Sequence, residues 1–168
     1  MQDGFIGVSG DVSDVSSVSS RLAELGIVLP EVAAPVATYV PAVRSGNYIY
    51  TSGQLPFVEG KLPYTGKVGT REDNVNPTIA AQLARQCALN ALAAVSALVP
   101  LDSVKRVVKV VGFVASDPGF TAQPGVINGA SQVLGDIFGE RGVHARSAVG
   151  VAALPLDSPV EVELIVEV

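Results

Sequence analysis

The sequence predicts an α+β fold in which two helices pack on one face of a mixed β-sheet. Several short segments alternate apolar and polar residues with the period of strands, and two longer segments carry apolar residues at helical spacing. Their order along the chain is β-β-α-β-α-β-β. Each helix has a wide apolar stripe, so both can cover the same face of one sheet. The 168 residues suit a single domain with one core.

The N-terminal segment is rich in Ser, Gly, Asp and Val without a clear period, and we expect residues 1–19 to be a disordered leader. Ser20 is a suitable N-cap for a short helix over Arg21–Leu25, which Gly26 would end. Residues 31–37 are interpreted as a linker. We therefore assign residues 20–168 to one domain with a short helical extension at its N-terminus.

The first two strands are predicted at Tyr39–Val43 and Tyr48–Ser52, as a hairpin around the turn residues Arg44–Asn47. A loop rich in turn residues follows. The clearest helix is predicted over Thr78–Leu98, because Asn76-Pro77 is a good helix start and Pro100 ends the pattern.

The third strand is predicted over Val104–Val114, and a second helix over Val126–Phe138 is closed by Gly139. One face of that strand is apolar and the other carries lysines. The apolar residues of this strand face are Val104, Val108, Val110 and Val114.

The last segment, Arg146–Val168, is predicted to be a hairpin with Pro- and Asp-containing turn residues between its arms. In the second arm the valines share one face, and Glu161 lies on the other. Arg146 is in phase with the small residues Ala148 and Gly150. We therefore expect a guanidinium and a carboxylate on one sheet face beside small residues, with room for a small ligand. From the residues alone, a structural salt bridge is the simpler interpretation of this pair.

Composition limits the function classes. The net charge of −5 argues against a general nucleic-acid binder, and the longest apolar runs are too short to cross a membrane. The N-terminus lacks the pattern of a secretory signal, and one cysteine cannot form an internal disulfide, so we expect a cytoplasmic protein. Hydrophobic residues make up 48% of the chain. This content favours a homo-oligomer that covers the small-residue face of Ala148, Gly150 and Ala152.

Several common active-site motifs are absent from the sequence, including phosphate-binding glycine loops and the serine-hydrolase elbow. Cys87 lies on the apolar helix stripe and is predicted to be a buried structural thiol. His144 precedes the last segment. A solvated loop histidine is the favoured interpretation of this residue, and a catalytic role is the alternative. With one Cys and one His, no Cys/His metal cluster can form, and we expect no metal.

The C-terminal pattern A-R-S-A-V-G-V-A-A-L-P-x-x-x-x-V-E-V-E resembles the signature of the YjgF/RidA family of reactive-intermediate (enamine/imine) deaminases, often labelled endoribonuclease L-PSP. Three other segments agree in order: T-Y-V-P-A-V at 38–43, S-G-N-Y-I-Y-T-S-G-Q-L-P at 45–56, and F-x-x-x-P-x-V-I-N ending at Asn128. The resemblance covers about Pro35 to Val168.

The resemblance implies a chorismate-mutase-like fold, a homotrimer, and a cleft at each subunit interface that deaminates small 2-imino or enamino acids without a cofactor. By similarity, Arg146 would bind the substrate carboxylate, and Glu161 would orient or activate water or transfer a proton. The other residues that match the cleft or its adjoining motif are Tyr39, Ser52, Gly53, Gln54, Asn128 and Ala148.

Three departures set this chain apart from the family pattern. Ala148 replaces a cysteine common in the family, an N-terminal extension is present, and the loop over residues 57–76 is long. They indicate a divergent subgroup. The alternative function is a non-catalytic or regulatory module that binds small carboxylates. Ribonuclease activity ranks below both, because the chain is acidic and has no basic-aromatic surface.

Overall fold

The computed structural model describes residues 17–32 and 38–168. Five strands form one mixed sheet in the order β1-β2-β5-β3-β4, in which only the β3–β4 pair is parallel. The strands are β1 (Ala42–Ser45), β2 (Tyr48–Thr51), β3 (Arg106–Ala115), β4 (Ala145–Val151) and β5 (Val160–Glu167), and the helices are α1 (Val18–Glu24), α2 (Pro77–Ser96) and α3 (Gln123–Phe138). The α+β class, the mixed sheet and the predicted order of strands and main helices are confirmed.

Helices α2 and α3 cover one face of the sheet, as predicted. The Asn76 side chain caps α2 by accepting the Thr78 N–H at 2.8 Å, and Pro77 occupies the first turn. The core between helices and sheet contains aliphatic side chains from every layer; Ile49, Leu92, Ile127, Leu134 and Leu164 are its largest fully buried members. Cys87 is buried in the same core, which confirms its predicted environment.

Two glycines set the position of α3. A Cβ on Gly129 would overlap the main-chain carbonyl of Ala81 in α2, so the two helix backbones approach closely at this point. A Cβ on Gly112 in β3 would overlap the side chain of Ile127, so this isoleucine fills the space that the glycine leaves. Together these contacts seat α3 on both α2 and the sheet.

The predicted C-terminal hairpin is wrong. Strand β3 lies between β4 and β5, pairing parallel with β4 and antiparallel with β5. The connection passes the end of β3, where the Ala115 N–H donates to the Pro159 carbonyl and the Ser116 N–H to the Val151 carbonyl. An apolar central strand buries its backbone best with a partner on each side. Alternation of side chains identifies the face of a strand but carries no information about its neighbour.

A β-bulge in β3 changes which valines face the core. The register shifts between Val107 and Lys109, so Val107 is fully buried whereas Val108 is only half-buried. The prediction that Val108 lies on the core face was wrong, because the extra residue of a bulge reverses the alternation.

Helix α1 begins three residues before the predicted start. Ser17 is the N-cap, with its hydroxyl accepting the Ser20 N–H at 3.0 Å, so residues 17–19 belong to the folded structure and not to a leader. Residues 1–16 of the predicted leader and 33–37 of the predicted linker lie outside the described residues.

The carboxylate of Asp102 anchors the start of α1. It accepts the Val18 N–H at 2.6 Å and the Ser19 hydroxyl at 2.7 Å. The Ser19 hydrogen bond is the largest of several effects that hold the pKa of Asp102 below its ordinary value. Val18 is fully buried, and Arg21 donates to the Asp136 carbonyl of α3 at 2.8 Å. Helix α1 is therefore joined to the rest of the domain by both apolar and polar contacts.

Within residues 17–32 and 38–168, none of the helices combines the length and the hydrophobicity needed to cross a bilayer.

Candidate functional site

Arg146 lies on β4, at the edge of the sheet, on the face that the helices cover. Its register partner in β3 is Val110, which is itself opposite the buried Leu164 of β5. The guanidinium reaches α3, where Nη1 donates to Asn128 Oδ1 at 2.8 Å and to Ser131 Oγ at 3.1 Å. The structure thus brings together two of the residues selected from the sequence, Arg146 and Asn128, and adds Ser131.

These two hydrogen bonds engage both hydrogens of Nη1 and leave one edge of the guanidinium open. Neither Nε nor Nη2 of Arg146 donates to any residue that the structure describes. The Nε–H and one Nη2–H are parallel donors at a separation that matches the two oxygens of a carboxylate. The site can therefore bind a carboxylate through a planar pair of hydrogen bonds.

His144 is connected to the same cluster. Its Nε2 lies 2.9 Å from Ser131 Oγ, and its Nδ1 lies 2.6 Å from the Gly142 carbonyl oxygen. The interpretation as a solvated loop histidine is therefore wrong: the imidazole is half-buried and both nitrogens have protein partners. Ser131 was not among the residues selected from the sequence, although its spacing of three residues from Asn128 on a predicted helix places both on one face.

Glu161 lies on β5, on the sheet face that the helices leave uncovered. The residues on either side of Glu161 in β5, Val160 and Val162, are fully buried beneath the helices. Glu161 and its register partner Phe113 therefore point to the opposite face. Glu161 Oε1 occupies the space that a Cβ of Gly53 would fill. Burial raises the pKa of the Glu161 carboxyl, and the negative charge of Glu163 raises it further.

The segment that follows β2 holds Glu161 in place. Gln54 exchanges two backbone hydrogen bonds with Val162, at 2.9 and 3.0 Å. Ser52 is tied back by its hydroxyl, which donates to the Val40 carbonyl at 2.7 Å beside the half-exposed Tyr39. The structure thus brings Ser52, Gly53 and Gln54 together with Glu161.

Within one chain, the Arg146 cluster and the Glu161 cluster do not meet. Arg146 faces the helices and Glu161 faces away from them, on strands separated by β3. The prediction that both side chains share one sheet face is wrong, because it assumed that Val149 faces the core, whereas Ala148 packs on the core and Val149 is exposed. A salt bridge between them within the chain is likewise not formed.

The small residues of β4 also face the helices. Ala148 packs against the hydrophobic core, and a Cβ on Gly150 would approach Gln123 of α3. Ala148 is therefore not free for an oligomer interface, whereas Gly150 and Ala152 are exposed, and their burial by another subunit stays a prediction. The uncovered face carries larger apolar side chains instead; exposed members of this face are Val43, Tyr50 and Val149.

In the described part of the chain, no three His, Cys, Asp or Glu side chains converge as metal ligands. The chemistry that these residues can support is carboxylate binding by Arg146 and proton transfer by Glu161, whose raised pKa brings it closer to neutrality.

Comparisons with known proteins agree on one family. Residues 19–168 match a family model described as YjgF/chorismate mutase-like, which also carries an endoribonuclease description. The chain is 46% identical over 152 residues to Protein TCP17 of Trypanosoma cruzi, covering 89% of this chain and 93% of the relative.

Solved structures show the same relationship. The Agrobacterium tumefaciens protein Atu1372, of unknown function, is 45% identical with a TM-score of 0.81, covering 90% of this chain and 93% of that one. E. coli TdcF, solved with bound serine, is 26% identical with a TM-score of 0.58 and covers 82% and 94% of the two chains.

Proposed function

Because the chain belongs to the YjgF/chorismate mutase-like family, we propose that it hydrolyses small 2-imino acids, and the enamino acids that tautomerise to them, to 2-keto acids and ammonia. The observation that carries this proposal is the Arg146 guanidinium, which is held by Asn128 and Ser131 through Nη1 while its Nε–Nη2 edge is open to a carboxylate. The relative TdcF was solved with bound serine, a small amino acid that carries a carboxylate next to its nitrogen-bearing carbon, as the proposed substrates do.

The proposed reaction needs few groups. Water adds to the imine carbon, the nitrogen is protonated, the C–N bond of the carbinolamine breaks, and ammonia leaves as the C=O bond forms. Arg146 holds the substrate by its carboxylate. Glu161 accepts a proton from the attacking water and returns one to the departing nitrogen, a role that a raised pKa favours near neutral pH. Orientation of water and substrate supplies the remaining acceleration.

A complete site requires two chains in this proposal. Arg146 and Glu161 of one chain lie on opposite sheet faces, so the acting pair is formed by Arg146 of one subunit and Glu161 of its neighbour in a homotrimer. The uncovered apolar sheet face, with Val43, Tyr50 and Val149 exposed, supports burial against further copies. Each interface would then contain one cleft.

The activity is tested with an imine generated in place, for example 2-iminopropionate from alanine and an amino-acid oxidase, by the rate of pyruvate formation above the spontaneous rate. The wild-type protein should accelerate hydrolysis, and Arg146→Ala should reduce kcat/KM by about 100-fold. Arg85→Ala, on the exposed face of α2, is the matched control and should leave it unchanged. Equal rates for the wild-type and Arg146→Ala proteins would overturn the proposal.

The shared site has its own test. Arg146→Ala and Glu161→Gln subunits are unfolded together, refolded as a mixture, and assayed. If each site combines two subunits, random mixing restores about a quarter of the sites. If both residues act within one chain, no site is restored.

The second candidate is a non-catalytic module that binds small carboxylates, favoured by the separation of Arg146 from Glu161 within one chain. In that case pyruvate would bind to the wild-type protein and not to Arg146→Ala, while no imine turnover would be observed. The endoribonuclease description finds no support in the charge of the chain, which is −5.

A further inference from the structure

We propose that His144 is a positioning residue for Arg146, acting through the hydroxyl of Ser131. The inference deepens the proposed function and rests on it, because it concerns how the carboxylate-binding edge of the guanidinium is held. It starts from the continuous row of hydrogen bonds that joins Gly142, His144, Ser131 and Arg146.

The direction of each hydrogen bond in this row follows from its ends. The Gly142 carbonyl can only accept, so the proton of the neutral imidazole is on Nδ1 and Nε2 is a bare acceptor. Arg146 can only donate, so Ser131 Oγ accepts from its Nη1. The single hydroxyl hydrogen of Ser131 is then directed to His144 Nε2. This single arrangement of protons gives every donor and acceptor in the row a hydrogen-bond partner.

This arrangement fixes the guanidinium at two points on one nitrogen. Asn128 and Ser131 are three residues apart on the same face of α3. Their side-chain oxygens, Oδ1 and Oγ, both accept a hydrogen bond from Nη1. With Nη1 held, the plane of the guanidinium and the direction of its Nε–Nη2 edge are set before a ligand arrives. Preorganisation of this kind strengthens binding without adding a contact to the ligand.

Protonation of His144 breaks the row. The imidazolium carries a hydrogen on Nε2, so Ser131 Oγ would face two donors and its own hydrogen would need another acceptor. A second positive charge would also lie near the guanidinium. The elements packed around His144 carry few other charges: Asp136 on α3, Glu140 and Arg141 on the 3₁₀ turn Gly139–Gly142, and Arg106 and Lys109 on β3. None of them is hydrogen-bonded to the imidazole in the described part of the chain.

A ligand-free test is available because His144 is the only histidine in the chain. Its imidazole ¹⁵N signals can therefore be attributed to His144 without a separate assignment experiment. At alkaline pH the neutral ring should be the Nδ1–H tautomer, and the Arg146 Nε–H signal should shift in step with the His144 titration. In Ser131→Ala the arginine signal should no longer follow that titration. An Nε2–H tautomer, or an arginine signal that follows the titration equally in both proteins, overturns the inference.

Kinetics give the second test. Ser131→Ala should raise the KM for 2-iminopropionate about tenfold with little change in kcat, since it loosens binding of a group present in substrate and transition state alike. Ser131→Thr, which retains the hydroxyl, should restore the wild-type KM. Ser103→Ala is the control and should leave KM unchanged. In the wild type KM should rise at acid pH, because a hydrogen on His144 Nε2 would break the row that holds Arg146. His144→Asn should lack this step.

The outcomes separate the two proposals. If the wild-type protein hydrolyses imines and Ser131→Ala has the same KM and pH profile, the inference fails and the function stands. If no imine is hydrolysed but pyruvate binding, measured by calorimetry, depends on Ser131 and on pH as described, the function fails and the inference stands. If neither activity nor binding is found, the tautomer and the coupled titration decide.

Discussion

The carboxyl group of Glu161 lies against the backbone of Gly53, in the volume where any other residue would place its Cβ. Gly53 belongs to the segment after β2, whereas Glu161 is on β5, so the contact joins parts of the chain that are more than a hundred positions apart in sequence. The glycine thus sets how close the carboxylate can lie to the sheet.

Replacing this glycine should damage the proposed activity more than the fold. In Gly53→Ala the new methyl group would overlap Glu161 Oε1, and the carboxyl would have to leave its position. We expect kcat for imine hydrolysis to fall by about 100-fold, the scale of a lost general acid–base. Gly135→Ala, at a helix position where a Cβ meets nothing within 4 Å, is the control. An unchanged kcat in Gly53→Ala would show that Glu161 is not the proton-transfer group.

The pH dependence of activity should respond to Glu163. The negative charge of Glu163 is the second cause, after burial, of the raised pKa of Glu161. Removing it in Glu163→Gln lowers that pKa, so the acid limb of the kcat profile should move to lower pH. Glu167→Gln, on the same strand face, is the control. A shift to higher pH, or none, would contradict the assignment of Glu161 as the base.

Two glycines of α3 should respond oppositely to the same substitution. Gly129→Ala would press a methyl group into the Ala81 carbonyl, and we expect it to lower the free energy of unfolding by about 1–3 kcal/mol, the usual cost of overpacking. Gly125→Ala meets nothing within 4 Å and should raise it by about 0.5–1 kcal/mol, because alanine favours a helix. Urea unfolding measures both. Equal effects would mean that α2 and α3 are not closely packed at Ala81.

The docking of α1 should depend on the charge of Asp102. Because its pKa is lowered in the folded protein, the carboxylate stabilises the fold above its unfolded-state pKa, and this contribution is lost as the pH falls through the folded value. Asp102→Ala should lower the free energy of unfolding at pH 7 by about 1 kcal/mol, as for a lost helix cap. The difference from wild type should shrink below about pH 4.

Hydrogen exchange locates this effect. The amides of Val18–Glu24 should lose protection in Asp102→Ala, while those of β3 and β5 should not. Glu140→Ala, which removes another exposed acid, should leave the amides of α1 protected. Loss of protection throughout the sheet would show instead that Asp102 supports the whole domain.

Sequence periodicity was sufficient for the buried faces of the two main helices and of β5, but not for the face of β4 or for the order of the strands. The stripe containing Cys87 predicted the buried face of α2, and the caps at Asn76 and Gly139 placed the ends of both main helices within about three residues. The alternation in β5 was assigned to the correct faces, whereas that in β4 was reversed, since Ala148 packs on the core and Val149 is exposed. The insertion of β3 between β4 and β5 depends on long-range pairing. The bulge at Val107 was hidden for a related reason, since it exists only relative to a partner strand.

Only part of the candidate site could be selected from the sequence. Ser52, Gly53 and Gln54 were selected as a motif and do lie with Glu161, and Asn128 does contact Arg146. His144 and Ser131 were not selected, because their connection runs through an arginine on another element. Hydrogen bonds between side chains that are far apart in the chain produce no periodic pattern in the sequence.

Burial of the single thiol has a practical consequence. Cys87 is fully enclosed, and burial raises its pKa well above the ordinary value, so little of the reactive thiolate forms near neutral pH. The native chain therefore behaves towards maleimide reagents almost as if it had no cysteine. A cysteine introduced at Arg85, on the exposed face of α2 and away from the uncovered sheet face, would carry the only accessible attachment point for a fluorophore or spin label. Subunit association could then be followed without first removing Cys87.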